Sequence, residues 1–272
     1  MHPLIFPALA AALVLALLAW PLRTLLRRRQ LRQQPFPAAW REILRQRVPY
    51  FRQMPADLQL QLKKHIQVFI AEKPFIGCAG LEITDEMRVT IAAQACLLTL
   101  NRRTGYPQLR QILVYPAAFV VDRVHTQGGG VQQAQRQALL GESWSQGQVV
   151  LSWNDSLQGA ATTNDGHNVV IHEFAHQLDQ ENGSANGAPP MAGGAARVRR
   201  WTEVFSTAFN QLQQQLAQGE PTLIDGYGAT NPAEFFAVVS EVFFEQPQKL
   251  ADQQPALYAE LCTFYRVNPM SW

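Results

Sequence analysis

The sequence predicts an α+β domain, mostly helical with a small mixed sheet, preceded by an N-terminal transmembrane helix. Three observations predict it. Several long stretches carry apolar residues at helical spacing. Only a few short stretches are rich in β-branched and aromatic residues. The first segment is an uncharged apolar run followed by arginines. Hydrophobic residues make up 47% of the 272-residue chain and charged residues 16%, enough for a sizeable core and too apolar for wholesale disorder.

The N-terminal run from Leu4 to Leu22 is 19 residues without a charge, near the ~20 that a spanning helix needs. Pro7 and Pro21 stand near its ends and Trp20 at the interfacial level. Arg23, Arg27, Arg28, Arg29 and Arg32 follow, and no Lys or Arg precedes it. The positive-inside rule then places the rest of the chain in the cytoplasm, held by a single membrane anchor. A cleaved signal peptide would carry its positive charge before the apolar run. The chain divides into residues 1–34, an anchor with a basic juxtamembrane segment, and residues 35–272, a soluble domain.

Within that domain, Pro55 to Lys73 and Thr84 to Leu100 read as helices. Gln111 to Tyr115 and Gln148 to Trp153 read as strands, with Gly128 to Gly130 a flexible loop between them. A helix is expected from about Asp165 to Asp179, ended by Asn182 and Gly183. Further helices are expected at Trp201 to Gln218, Pro232 to Glu245 and Pro255 to Val267.

The net charge of +2 gives no footprint of a nucleic-acid binder, and the basic cluster abuts the apolar run. Cys78, Cys96 and Cys262 are odd in number, far apart and form no C-x-x-C pair, so they read as small apolar residues in a reducing compartment.

The chemistry sits in His167-Asn-Val-Val-Ile-His172-Glu173-Phe-Ala-His176-Gln-Leu-Asp179. On a helix, His172 and His176 lie on one face a turn apart and can converge on one metal ion. Zinc suits two imidazoles, in a tetrahedral geometry that leaves a position for water. Glu173, rotated by ~100° around the helix, can reach that water and act as general base. The H-E-x-x-H pattern alone is moderately specific. Here the run contains no helix breaker, and Val169, Val170, Phe174, Ala175 and Leu178 offer packing faces.

A third protein ligand is needed. No histidine follows His176, so a downstream ligand must be a carboxylate. Glu234, Glu241 and Glu245 share one face of the helix after Asn231-Pro232. Glu234 leads, but Asn231 fits an N-cap and Pro232 the first helical position, which makes Glu234 equally a capping residue. Spacing leaves the two readings level.

The chain from about Trp40 to Tyr265 resembles the Mlc titration factor A (MtfA) family of bacterial zinc peptidases. The resemblance is carried by Ile112 to Val120, Gly141-Glu-Ser-Trp144, Val149 to Trp153, His172 to Asp179, Asn182 to Gly187 and Asp225 to Phe244. The zinc segments are also similar to the catalytic domain of anthrax lethal factor, where a Tyr lies seven residues before a liganding Glu, as Tyr227 does before Glu234. The resemblance implies a zincin-like fold of the gluzincin type, with one Zn2+ on His172, His176 and Glu234. It implies Glu173 as base and Tyr227 as donor to the developing oxyanion. Asp179 reads as a residue behind the ligands or at the helix end.

The resemblance further implies aminopeptidase-type hydrolysis of a peptide or protein substrate and binding of Mlc, a glucose-responsive transcriptional repressor. The alternative is a non-catalytic regulator that sequesters a transcription factor. The intact Glu173, and cysteines remote from a site that would otherwise need closing, favour the enzyme. Val149 to Trp153 is the strand expected to hold an extended peptide. The family's shorter, soluble form lacks the apolar N-terminus, which leaves a soluble cytoplasmic protein as the alternative localisation.

Overall fold

The computed structural model describes residues 22–102, 105–127, 131–139, 141–144 and 147–272. The helices are α1 (residues 22–33), α2 (Ala38–Arg47), α3 (Tyr50–Gln53), α4 (Ala56–Glu72), α5 (Asp85–Leu97), α6 (Trp153–Ala161), α7 (Val169–Asp179), α8 (Gly194–Gln218), α9 (Pro232–Glu245), α10 (Pro247–Gln253) and α11 (Pro255–Tyr265). The strands are β1 (Phe75–Gly77), β2 (Gln111–Tyr115), β3 (Phe119–Gln127), β4 (Val131–Leu139), β5 (Gly141–Trp144) and β6 (Gln148–Ser152). The mostly helical chain with a small sheet matches the expected class.

The main sheet has the order β1-β2-β6-β5. β1, β2 and β6 run parallel, and β5 closes one edge antiparallel to β6, with Trp144 opposite Gln148 and Gly141 opposite Leu151. Ile112, Val114, Val149 and Leu151 are fully buried, as a sheet covered by helices requires. β3 and β4 form a separate antiparallel hairpin, and the glycine loop expected at 128–130 lies outside the described residues.

Two strand expectations need correction. β6 has both edges occupied, by β2 and β5, so it cannot accept an added peptide strand. Trp153 belongs to α6, because Ser152 caps that helix by accepting from the backbone N–H of Asp155.

The helices take their places from their buried faces. α5 starts at its cap Thr84, whose side chain accepts from Met87 N, and is buried on nearly every side from Val89 to Leu97. α7 seats Phe174 between Phe69 and Tyr106, at ring-centroid distances of 5.8 and 4.8 Å. Burying one such ring stabilises by roughly 2–3 kcal/mol. α8 begins at Gly194, earlier than the expected Trp201. Trp201 is one of its anchors, stacked on Phe205 at 3.8 Å and donating its indole N–H to Gly187 O at 2.9 Å.

The expected membrane span falls on residues 4–22, outside the described residues except for Leu22. Among the described residues, no helix is long and apolar enough to cross a membrane. α1 carries the arginine cluster and lies against α4. Arg28 grips Glu72 with two hydrogen bonds of 2.7 and 2.8 Å, and Gln67 donates to Gln34 O. At least one arginine of that cluster therefore has a structural partner.

Candidate metal centre

Two helices build the site. α7 begins at Val169, four residues later than expected, because Asn168 is its N-cap and accepts from Ile171 N at 3.0 Å. Val170, Ile171, Phe174, Ala175 and Leu178 bury one face of α7 in the core. This turns His172 and His176 toward α9, with ring centroids 4.8 Å apart. α9 begins where Asn231 caps it, accepting from Ala233 N and Glu234 N at 2.9 and 3.0 Å, with Pro232 in its first turn.

The cap is therefore Asn231, and the Glu234 side chain points at the histidines. Glu234 Oε2 lies 3.0 Å from His172 Nε2 and 3.2 Å from His176 Nε2, and the two Nε2 atoms are 3.2 Å apart. Two histidines one turn apart and a glutamate 58 residues beyond the second thus bring one ligand atom each to one point, a group that could hold a metal ion. The spacing fits such an ion. Bonds of ~2.0 Å in tetrahedral geometry separate ligand atoms by about 3.3 Å. The chemistry of the set fits as well, since three lone-pair atoms in mutual contact repel unless a cation or shared protons lie between them.

The electrostatics agree with that need for positive charge. Burial works against charge on His172, but hydrogen bonds to Glu234 and Glu241 and the field of Glu173 outweigh it and raise its pKa well above the usual value. Burial also opposes the Glu234 carboxylate, yet its contacts with His172 and His176 hold its pKa below the ordinary carboxylate range.

Glu173 follows the first histidine, and its side chain is 5% exposed. Burial pushes its carboxyl up to about 7, against the pull of His172 and His176. Tyr227 sits in a 3-10 turn, Gly226–Ala229, that precedes α9. It is half exposed, with its ring 6.0 Å from that of His172. All five sequence-expected residues are therefore in one place. Asp179 is not part of the ligand group. It is fully buried at the end of α7, and its Oδ2 accepts from the backbone N–H of Asn186 and of Gly187, each at 2.7 Å.

Two features behind the cluster are not evident from the sequence. In the sequence Glu241 and Glu245 trail Glu234 as ligand candidates. Glu241 Oε1 instead lies 2.8 Å from His172 Nδ1, and its Oε2 accepts from Asn168 N. Glu245 accepts from Asn168 Nδ2 and Gly166 N. The shared helix face was the only signal in the sequence. Asn168 gave none beyond being a residue type that caps helices.

Comparison with known proteins agrees with this geometry. A model of the family described as glucose-regulated metallo-peptidase M90 matches residues 22–266. The uncharacterized protein slr2042 of Synechocystis sp. is 43% identical over 246 residues, covering 90% of this chain and 89% of that protein. The Mlc titration factor A of Klebsiella pneumoniae subsp. pneumoniae is 36% identical over 228 residues, covering 82% and 84%. That of Salmonella agona is 35% identical over 226 residues, with the same coverage. With residues on two helices converging as a metal site requires, and with the family model spanning nearly all of it, the chain belongs to the glucose-regulated metallo-peptidase M90 family.

Proposed function

We propose that the chain is a zinc-dependent peptidase of the gluzincin type. In this reading His172, His176 and Glu234 hold the ion, Glu173 is the general base and Tyr227 an oxyanion donor. The observation that carries the reading is the meeting of His172 Nε2, His176 Nε2 and Glu234 Oε2 at 3.0–3.2 Å beside a buried carboxylate. A zinc ion there supplies Lewis acidity toward a water and the scissile carbonyl. Glu173 takes a proton from the attacking water on its carboxylate and returns it to the leaving amine. Tyr227, at the exposed rim, donates to the carbonyl oxygen as negative charge develops there.

The substrate is a peptide, cleaved in aminopeptidase fashion. Strand addition moves from β6 to β5. β5 is an edge strand that packs near α7, and among the described residues only β6 pairs with it. Residues 4–22 act as a single inner-membrane anchor with the domain on the cytoplasmic side. Their lack of charge and the arginines that follow support this, and membrane fractionation of the full chain tests it.

The name of the relatives, Mlc titration factor A, favours a second reading in which this chain binds and withholds an Mlc-type repressor. The two readings separate in one experiment on the full chain in detergent. Bound zinc and hydrolysis of amino-acid and peptide chromogenic substrates are measured for the parent, Glu173→Gln and Glu234→Ala. The parent should hold one zinc per chain and turn over. Glu173→Gln should keep its zinc and lose about 10²–10⁴-fold in turnover. Glu234→Ala should lose zinc. A parent that binds zinc and cleaves none of the panel leaves the second reading standing alone. A parent without zinc removes the first.

A further inference from the structure

Glu241 lies two turns beyond Glu234 on α9, and the reaction outlined above gives it no part. It is 6% exposed, and both of its oxygens are engaged. One faces His172 Nδ1 at 2.8 Å, and the other accepts the backbone N–H of Asn168, the N-cap of α7. We propose that Glu241 is a positioning residue that fixes the His172 ring and its proton on Nδ1, so that Nε2 presents a lone pair to the metal. The inference rests on the metal-binding reading of His172, His176 and Glu234.

A carboxylate offers only acceptors at neutral pH, so the imidazole nitrogen facing it must carry the hydrogen. The nitrogen on the far side is then free to ligate, and its basicity is raised by the carboxylate behind it. The bond to Asn168 adds a second constraint, because it sets the start of α7 against α9. One side chain therefore fixes both the ring and the helix that carries it. A third ligand role does not fit Glu241, whose oxygens are taken by His172 Nδ1 and the backbone N–H of Asn168. A purely capping role would not need the histidine contact.

Glu245 provides the internal comparison. One turn further along, it holds the same helix start through Asn168 Nδ2 and Gly166 N, with no hydrogen bond to His172. Anchoring of the helix and orientation of the ring are thus carried by different residues and can be separated.

Glu241→Gln keeps the shape and replaces one acceptor by a donor. If the amide oxygen takes the Asn168 N–H, the amide nitrogen faces Nδ1 and drives the proton to Nε2, against the metal. If the oxygen faces Nδ1, the amide nitrogen meets the Asn168 N–H, donor against donor. Both arrangements disfavour the metal-binding form. The experiment measures zinc affinity of the full chain in competition with a chromophoric chelator, for the parent, Glu241→Gln and Glu245→Gln, alongside the thermal midpoint of each metal-free protein. Glu241→Gln should bind zinc about tenfold to a hundredfold more weakly, with a metal-free midpoint close to the parent's. Glu245→Gln should bind nearly as tightly as the parent. Unchanged affinity in Glu241→Gln overturns the proposal, and so does an equal loss in both variants, which would mean helix anchoring alone. A parent that binds no zinc overturns the underlying metal site instead. Should Glu241→Gln not fold, the ring ¹⁵N spectrum of the zinc-loaded parent decides. A proton on Nδ1 of His172 with Nε2 metal-bound is expected, and the reverse arrangement sinks the idea.

Discussion

His65, on α4, is held uncharged in the folded chain. Burial is the main cause and the nearby Arg32 guanidinium the second, and together they lower its pKa from the usual 6.5 to about 4. The sign of the consequence is fixed. Between those two values the unfolded chain binds the proton and the folded chain does not. The His65 contribution is thus complete above pH 6.5 and is lost as pH falls toward 4. Against His65→Gln, the parent should lose up to about 3 kcal/mol of stability over that interval. Urea unfolding of both proteins at pH 7, 5.5 and 4.5 checks this, and a constant difference between them would refute it. Legibility at this scale depended on distance along the chain. His172, Glu173 and His176 fall within two helical turns, so helix geometry alone related them to one another. Glu234 lies 58 residues beyond His176, and its local setting fitted a cap as well as a ligand. Only the packing of α9 against α7 separates those roles, and Asn231 proves to be the cap. Glu241 and Glu245 were legible as a shared face, but what that face meets is a tertiary fact.

Helices α7, α8 and α9 meet through the loop at Gly187. Its N–H is held by Asp179 at the end of α7, and its carbonyl accepts from Trp201 on α8. It has a φ of +77°, and a Cβ there would stand 2.3 Å from the carbonyl oxygen of Pro232, two residues before Glu234. Gly187→Ala must therefore adopt a disfavoured backbone and push the start of α9. A loss of more than about 2 kcal/mol is expected, with weaker zinc binding because Glu234 moves with Pro232. A urea midpoint and zinc affinity equal to the parent's would show that the loop does not set the position of α9. The elements themselves were read well where a buried stripe coincided with a cap or a proline. α4 and α9 fall within a residue of expectation for that reason. The start of α7 lies later than the sequence suggests because Asp165 and Asn168 are both capping types, and only Asn168 makes the cap bond. β1 is three residues long, β3 breaks its apolar residues with Asp122, Arg123 and His125, and β4 is rich in glutamine, so none of them shows the apolar alternation by which a strand is recognised.

At the scale of the whole molecule, the candidate metal centre joins two parts of the chain that local structure does not connect. α7 is buttressed by Phe69 on α4 and by Tyr106. α9 is packed by Trp201, Phe205 and Phe264 on the C-terminal helices. Between them lie a histidine pair from one side and a carboxylate from the other, all partly or fully buried. Without an ion, the cluster must hold extra protons or bear the repulsion of its lone pairs. With an ion, each ligand is satisfied, and the bond exists only when both parts are folded and docked. Zinc should therefore act as a cross-link that stabilises by mass action, by about 4 kcal/mol when free zinc stands a thousandfold above its dissociation constant. In a domain of this size that corresponds to a rise of roughly 8–16 °C in the thermal midpoint. Chelation of the parent should reverse the rise, and zinc should restore it. Glu234→Ala removes the α9 end of the cross-link, so its midpoint should respond little to either treatment. A parent whose midpoint ignores chelator and zinc alike would mean that no ion bridges α7 and α9. An equally large response in Glu234→Ala would mean that the stabilising ion sits elsewhere in the molecule.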